Sequence, residues 1–357
     1  MTLLNPIHAS VLVASTFVAA FSTAAASQQS TQQSAQQSTP QKVLNLYSSR
    51  HYQTDEALYA NFEKATGIKI NRIEGPEDPL LERMKGEGDK SPADVLITVD
   101  MGRLLKAQEM GLFQPVKSAL LDEKIPRELR SAEGTWYGFS VRARPIYYAK
   151  GKIDPKQIAN YEDLADPKFK GKVCTRSGSH PYMISMLSSI IAANGAEKAE
   201  TWARGVVANM ARAPKGGDTD QIKGVAAGEC EIAVGNTYYF VRLMKSDKAD
   251  EKAIVEKVGV VFPNQGNRGA HINISGAGVA KYAPNKEAAI KFLEYLASPE
   301  AQAYFANGNN EYPAVGKATG NPQLMSLGEF KRDPLTMDAV GKNYTAASQM
   351  FDRVGWK

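Results

Sequence analysis

The chain has 357 residues, a net charge of +5 and an apolar fraction of 43%. A folded part of this length suits two lobes. Its 43 basic and 38 acidic residues are interspersed, with no basic stripe interleaved with aromatic rings, so a nucleic-acid-binding protein is not expected.

The first 41 residues contain no Lys, Arg, Asp or Glu. An apolar run over 11–21 that leads into Ala24-Ala25-Ala26 predicts a secretory signal peptide over 1–26, cleaved near Ala26. This run is shorter than the roughly 20 residues that a membrane span needs. Residues 27–41 are almost wholly Ser, Gln, Thr and Ala, a composition that predicts a flexible tether. We therefore expect an exported protein.

Strands alternate with helices from Val43 onwards, which favours an α/β fold with parallel sheets. The first unit is predicted to contain strands over 43–47, 68–73 and 93–98 and helices starting at Asp55, Leu80 and Met101. The extended segment 139–148 is predicted to cross between two lobes, and 271–280 to cross back.

A second α/β unit is predicted between the two crossings. It is expected to contain strands over 172–175 and 232–234 and helices over 183–193, 196–210, 220–227 and from 238. After the return crossing, helices are predicted over 285–296 and 298–305, with Ser298 as N-cap and Pro299 at the first helical position.

Tyrosines follow three of the short apolar strands, as His51-Tyr52, Tyr182 and Tyr238-Tyr239. Because ligands of open α/β sheets bind beyond the carboxyl ends of the strands, these rings are expected at one crevice. A tyrosine pair alone is more typical of packing, and Tyr147-Tyr148, inside an alternating strand, is assigned to packing.

The export signal, the two crossings and the stretch Lys-Phe-Leu-Glu-Tyr-Leu-Ala-Ser-Pro-Glu-Ala-Gln at 291–302 resemble a periplasmic solute-binding protein of an ABC importer. Within that class, the residues His51, Tyr52, Tyr182, Tyr238 and Tyr239 resemble the ligand set of the ferric-iron-binding proteins of the FutA type. The resemblance covers 43–320.

The resemblance implies a type II-like periplasmic-binding-protein fold, with two α/β lobes, a two-strand hinge and iron held in the cleft. Lobe one is expected over 42–141 and 272–320, and lobe two over 142–271 and 321–357. It also implies a monomeric, non-enzymatic periplasmic protein that delivers iron to an ABC permease in the inner membrane. Fe(III) is the expected cargo, with Fe(II) left open.

The chemistry of ferric ion is consistent with these residues. Fe(III) is a hard cation, and phenolate is a hard anionic oxygen donor. Four phenolates around Fe(III) leave a formal charge of −1, so a cationic surround is expected, and Arg142 and Arg242 match positions that the family uses near iron. His51 either ligates, hydrogen-bonds a ligand or lines the cleft. His180 and His271 are assigned to structural roles.

Other interpretations remain open. The same cleft fits an importer subunit for an oxyanion or small organic solute, with Ser177, Ser179 and Arg142 as donors and no metal. A hydrolase is disfavoured, because no nucleophile elbow or Asp partner accompanies the Ser and His of that loop. Cys174 and Cys230 either form a disulfide, if their strands are neighbours, or stay buried and free.

Overall fold

The computed structural model describes residues 42–50 and 52–357. The predicted signal peptide and tether, and His51, lie outside the described residues. The strands are β1 Val43–Ser48, β2 Lys69–Glu74, β3 Val95–Thr98, β4 Tyr137–Ala143, β5 Ile146–Ala149, β6 Val173–Cys174, β7 Ile232–Val234, β8 Val258–Val261, β9 Ile272–Val279 and β10 Tyr312–Pro313.

Fourteen α-helices lie within the described residues. They are α1 Asp55–Thr66, α2 Glu77–Glu87, α3 Met101–Glu109, α4 Ala119–Lys124, α5 Pro181–Asn194, α6 Ala196–Ala208, α7 Asp218–Ala227, α8 Thr237–Met244, α9 Ala249–Lys257, α10 Lys286–Leu296, α11 Pro299–Gly308, α12 Pro322–Met325, α13 Met337–Gly341 and α14 Tyr344–Val354.

The strands form two separate sheets, which confirms the expected two-lobed α/β architecture. One sheet has the order β10-β4-β9-β3-β1-β2 and the other the order β6-β7-β5-β8. Both are mixed rather than parallel throughout. Strands β1, β2 and β3 pair in parallel, as do β6 and β7, whereas β9 runs antiparallel to β3 and β4. The return strand β9 therefore runs in the opposite direction to β1, β2 and β3, whereas β4, on its other side, runs in the same direction as they do.

The first crossing differs from the single strand predicted over 139–148. It is two strands in different sheets, β4 and β5, separated by Arg144 and Pro145. Proline has no backbone N–H to donate to a ladder, so the extended run breaks there. The return crossing lies beside it, because the Arg144 amide donates to the His271 carbonyl (3.1 Å). The two connections between the lobes are thus hydrogen-bonded to each other.

Helix boundaries follow local sequence chemistry. Helix α1 buries Leu58, Tyr59 and Phe62 and ends at Gly67, which adopts φ 71° as helix-terminating glycines do. Ser298 caps α11 by accepting from the Ala301 amide, with Pro299 at the first position. Both ends were predicted from the sequence, and both fix elements of the first lobe.

Each sheet has its own hydrophobic core. The six-stranded sheet packs around Trp136, Phe139 and Phe292, and the four-stranded sheet around Met183, Trp202 and Phe351 on one face. Its other face holds Tyr147, Phe240 and the Cys174–Cys230 disulfide. The chain's last helix, α14, packs on α5 and α6 of the second core.

Candidate metal centre

The predicted tyrosines stand where strands of both sheets end. Tyr52 follows β1 of the six-stranded sheet, whereas Tyr182 is the second residue of α5, after β6. Tyr238 and Tyr239 are the second and third residues of α8, directly after β7. One ring therefore belongs to the first lobe and three belong to the second.

Local contacts hold the two helix starts in place. His180 caps α5, its Nδ1 accepting from the Tyr182 amide (3.2 Å), and Pro181 takes the first helical position. At α8, the Tyr147 hydroxyl donates to the Asn236 carbonyl (3.1 Å), and the Asn236 amide donates to Asp218 (2.8 Å). The buried Tyr147, assigned to packing, thus also braces the turn before Tyr238.

The four tyrosines form one cluster. The hydroxyls of Tyr182 and Tyr238 are 3.4 Å apart. The rings of Tyr52 and Tyr238 meet edge to face at 6.2 Å across the two lobes, and those of Tyr238 and Tyr239 lie 4.1 Å apart. Tyr52, Tyr182 and Tyr238 are buried, while Tyr239 is half-buried. Phenol groups up to 187 residues apart in the chain therefore share one site.

Both predicted arginines contact this cluster. The guanidinium of Arg142 is buried, lies 5.7 Å from the Tyr182 ring centroid and donates to Ser275 and to the carbonyls of Val99 and Ile274. Arg242 is exposed and its guanidinium lies 5.1–5.7 Å from the ring centroids of three tyrosines, Tyr52, Tyr238 and Tyr239. Arg142 therefore lies inside the site, and Arg242 lies at the solvent-facing opening of the site, which is called its mouth below.

Sequence reasoning missed three charged residues at the cluster. The guanidinium of Arg50 lies 4.8 Å from the Tyr52 ring centroid, and that of Arg176 lies 5.4 Å from the Tyr182 ring centroid. The fully buried Glu311 accepts from the Tyr52 hydroxyl (3.3 Å). Both arginines lie in the loops that carry Tyr52 and Tyr182, so their position in the sequence could have indicated that they lie near these rings. Glu311 lies 259 residues from Tyr52, and no local pattern points to it.

Burial favours the neutral form of the three buried tyrosines. Burial, the Glu311 carboxylate and Tyr182 raise the pKa of Tyr52 well above its ordinary value. Burial raises the pKa of Tyr182 against the opposing effect of Arg142, and burial together with Tyr182 and Tyr52 raises the pKa of Tyr238. Ionising this cluster requires a compensating cation.

Arg142 keeps its charge in the protein interior. Burial alone would lower the pKa of Arg142, but Tyr182, Glu311 and Tyr52 outweigh it and raise that pKa. The opposite holds for the imidazoles of His180, which is half-buried, and His271, which is buried. Burial, assisted by Arg176 at His180 and by Arg144 at His271, lowers the pKa of each to about 3. Both histidines are therefore neutral, in keeping with structural roles.

The serines of the alternative anion site are turned towards each other. Ser177 and Ser179 hydrogen-bond through their hydroxyls at 2.8 Å. Within 42–50 and 52–357, no group of three His, Cys, Asp or Glu side chains is placed to hold a metal. The clustered phenols are hard oxygen groups, the donor type that a hard cation prefers. Over the same residues, no helix has the length and apolar character to cross a membrane.

The two strands that precede Tyr182 and Tyr238 are tied together. Strands β6 and β7 are neighbours, and Cys174 and Cys230 form a disulfide with Cα atoms 5.8 Å apart. The Arg176 carbonyl also accepts from the indole of Trp356 (3.3 Å), which follows α14. The loop that leads to Tyr182 is therefore held on two sides.

These features define a class: a two-lobed α/β binding protein whose ligand site lies between the lobes. The model for bacterial extracellular solute-binding proteins matches residues 90–332, and the chain belongs to that family. Iron uptake protein A1 of Synechocystis sp. is 51% identical over 317 residues, spanning 89% of this chain and 88% of that protein.

Solved structures show the same likeness. FutA (IdiA) of Trichodesmium, in complex with iron and citrate ligands, is 54% identical with a TM-score of 0.84, over 88% of this chain and all of that one. Apo FutA2 of Synechocystis is 46% identical with a TM-score of 0.84, over 88% of this chain and 99% of that one. The expected solute-binding fold and family are confirmed.

Proposed function

We propose that this chain is a periplasmic protein that captures iron, chiefly Fe(III), and delivers it to an ABC permease of the inner membrane. The observation that carries this proposal is the convergence of four tyrosines from two lobes on one buried site. That a 54% identical structure holds iron and citrate supports the same cargo here. No catalytic role is proposed, and the protein is expected to act as a monomer.

The proposed ligands are the phenolate oxygens of Tyr52, Tyr182, Tyr238 and Tyr239. A bound trivalent cation favours loss of the phenolic protons, as metal ions do for bound water. The resulting complex carries a formal charge of −1, which Arg142 and Arg242 offset from inside and from the mouth of the site. His51 stays a predicted member of the set, beyond the residues that the structure describes.

Closure is the second part of the proposal. Iron bound to tyrosines of both lobes favours the state in which the lobes meet, through its differential affinity for that state. The lobes are proposed to be 42–141 with 272–320 and 142–271 with 321–357. The Arg144–His271 hydrogen bond joins the two proposed hinge connections.

Loading the purified mature chain with ferric citrate and recording its visible spectrum tests the proposal. Tyrosinate bound to Fe(III) gives a visible charge-transfer band, so the iron-loaded protein should be coloured in proportion to its iron content. If the protein stays colourless and binds an oxyanion or small organic solute instead, the iron-binding function is wrong and the alternative importer function is supported.

A further inference from the structure

Glu311 is a buried acid placed against the tyrosine cluster, and its position is well determined by its neighbours. It stands between α11 and β10, directly after Asn310, whose backbone is left-handed at φ 60°. One carboxylate oxygen accepts from the Tyr52 hydroxyl (3.3 Å) and the other from the Ser140 hydroxyl (2.5 Å). Its side chain is fully shielded from solvent.

The charge of Glu311 is balanced mainly by Arg142. The Arg142 guanidinium lies 3.6 Å from Glu311, and that of Arg50 lies 3.9 Å away. Arg50 is already engaged by Asp55 through two hydrogen bonds of 2.6 and 3.1 Å. Glu311 therefore reduces the positive potential that Arg142 would otherwise direct at the tyrosines.

The other cations near the cluster are balanced differently. Arg176 shares the buried Asp218 with Arg144, at 3.1 and 3.0 Å. Arg242 makes no ion pair with any carboxylate of the described residues. Glu311 is thus the one acid, within 42–50 and 52–357, whose carboxylate hydrogen-bonds directly to a proposed ligand tyrosine.

We propose that Glu311 sets the oxidation-state preference of the site, favouring Fe(III) over Fe(II). This inference rests on the proposed iron-binding function. Four tyrosinates give a complex of charge −1 with Fe(III) and −2 with Fe(II). A buried negative charge alongside opposes the more negative complex more strongly, and in the protein interior this effect is only weakly screened. Glu311 is therefore a specificity-determining residue that acts by its charge.

The test measures the reduction potential of the bound iron. The loss of the charge-transfer band during electrochemical reduction monitors how much of the iron has been reduced. Glu311→Gln keeps the shape and an acceptor oxygen but removes the charge. It should shift the potential positively, by at least about a tenfold rise in the ratio of Fe(II) to Fe(III) affinity. Glu311→Asp keeps the charge and should stay nearer to the unmodified protein.

Ser140→Ala gives an independent measurement with a small side chain, in case Glu311→Gln does not fold. Removing the hydroxyl donor leaves more of the negative charge of Glu311 directed at Tyr52, so the potential should shift slightly in the negative direction. Glu77→Gln is the matched control, because Glu77, like Glu311, accepts from a hydroxyl (Thr98, 2.9 Å) and pairs with an arginine (Arg103, 3.4 Å), but among the described residues it makes no hydrogen bond with the four tyrosines. The reduction potential of iron bound to the Glu77→Gln variant should equal that of the unmodified protein.

The outcomes separate the two proposals. If the unmodified protein gives no charge-transfer band, the iron-binding function itself is wrong. If the unmodified protein is coloured but Glu311→Gln and Ser140→Ala both keep its potential, or Glu311→Gln shifts it negatively, Glu311 does not set the preference and the iron site stands without it.

Discussion

Tyr239 is the most exposed ring of the cluster, and its centroid lies 4.1 Å from that of Tyr238 with the rings tilted by 32°. If it ligates iron, Tyr239→Phe removes one anionic donor, so the charge-transfer band should shift or weaken and iron affinity should fall by more than about tenfold. Visible titration against a citrate competitor measures both.

Tyr148→Phe is the control, because Tyr148 belongs to the tyrosine pair on β5 that was assigned to packing. An identical response of both variants would remove Tyr239 from the proposed ligand set.

Protons compete with iron for the phenolate oxygens. The pKa values of Tyr52, Tyr182 and Tyr238 are raised, mainly by burial, so in the iron-free protein these phenols are protonated at and below neutral pH. Iron binding must release their protons, and its affinity should fall as pH falls from neutral to mildly acidic values. The slope should be about one unit in log affinity per pH unit for each tyrosine that ionises.

Equilibrium dialysis at several pH values, with the competitor's own protonation corrected, measures that slope. Proton release into a weakly buffered solution on loading gives a second count. A flat affinity over this pH range would argue against tyrosinate ligation, whatever the geometry of the rings.

The Cys174–Cys230 disulfide ties together strands β6 and β7, which lead to the second lobe's tyrosines. The bonded cysteines are 56 residues apart in sequence. Replacing both by serine should lower the free energy of unfolding by about 2–4 kcal/mol, because the unfolded chain loses a cross-link. Urea denaturation measures this change, and a stability equal to that of the unmodified protein would show that ladder and core contacts suffice.

Close packing of the Tyr182 loop against the chain's last residues gives another prediction. A Cβ at Gly178 would come 2.5 Å from the Trp356 carbonyl oxygen and 2.8 Å from Phe351 Cγ. Gly178→Ala should therefore destabilise the protein by about 1–3 kcal/mol. Gly86→Ala in α2 is the control, since nothing lies within 4 Å of its Cβ and alanine is the better helix former. Thermal unfolding compares the two.

Elements with strong local signals were predictable from the sequence. Helix α1 with its glycine end and strand β7 have their expected bounds, and α11 begins after its predicted Ser298 cap but ends three residues later than expected. The antiparallel direction of β9 and the break of the first crossing at Pro145 were not predicted, because both depend on which sheet each strand joins. That choice is made by contacts distant in sequence, such as β9 with β3, and no local pattern encodes it.

The candidate site divides in the same way. The tyrosines were predictable because each follows a strand end, where α/β clefts form. Glu311 was not, because its neighbours Tyr52, Ser140 and Arg142 come from other parts of the chain. The burial of the tyrosine rings also could not be predicted from the loop sequences, although this burial favours the neutral phenols before iron binds.

The whole molecule is expected to change shape on loading. Tyr52 and Tyr238 meet across the two lobes, so iron bound to both should favour closure. Small-angle scattering should give a smaller radius of gyration with iron than without it. Tyr52→Phe should keep the colour supplied by Tyr182, Tyr238 and Tyr239 but lose most of this compaction.

Tyr182→Phe is the control, since it also removes one donor but leaves tyrosines on both lobes. It should still compact on loading. Equal compaction in Tyr52→Phe would show that closure does not depend on the first lobe's ring.

The unequal division of the rings, three on one lobe and one on the other, has a consequence for handover. On the proposed ligand set, separation of the lobes would withdraw Tyr52 and leave the ion on the three oxygens of the second lobe. We therefore expect a receiving transporter to meet the cargo on an open lobe, bound less tightly than between closed lobes.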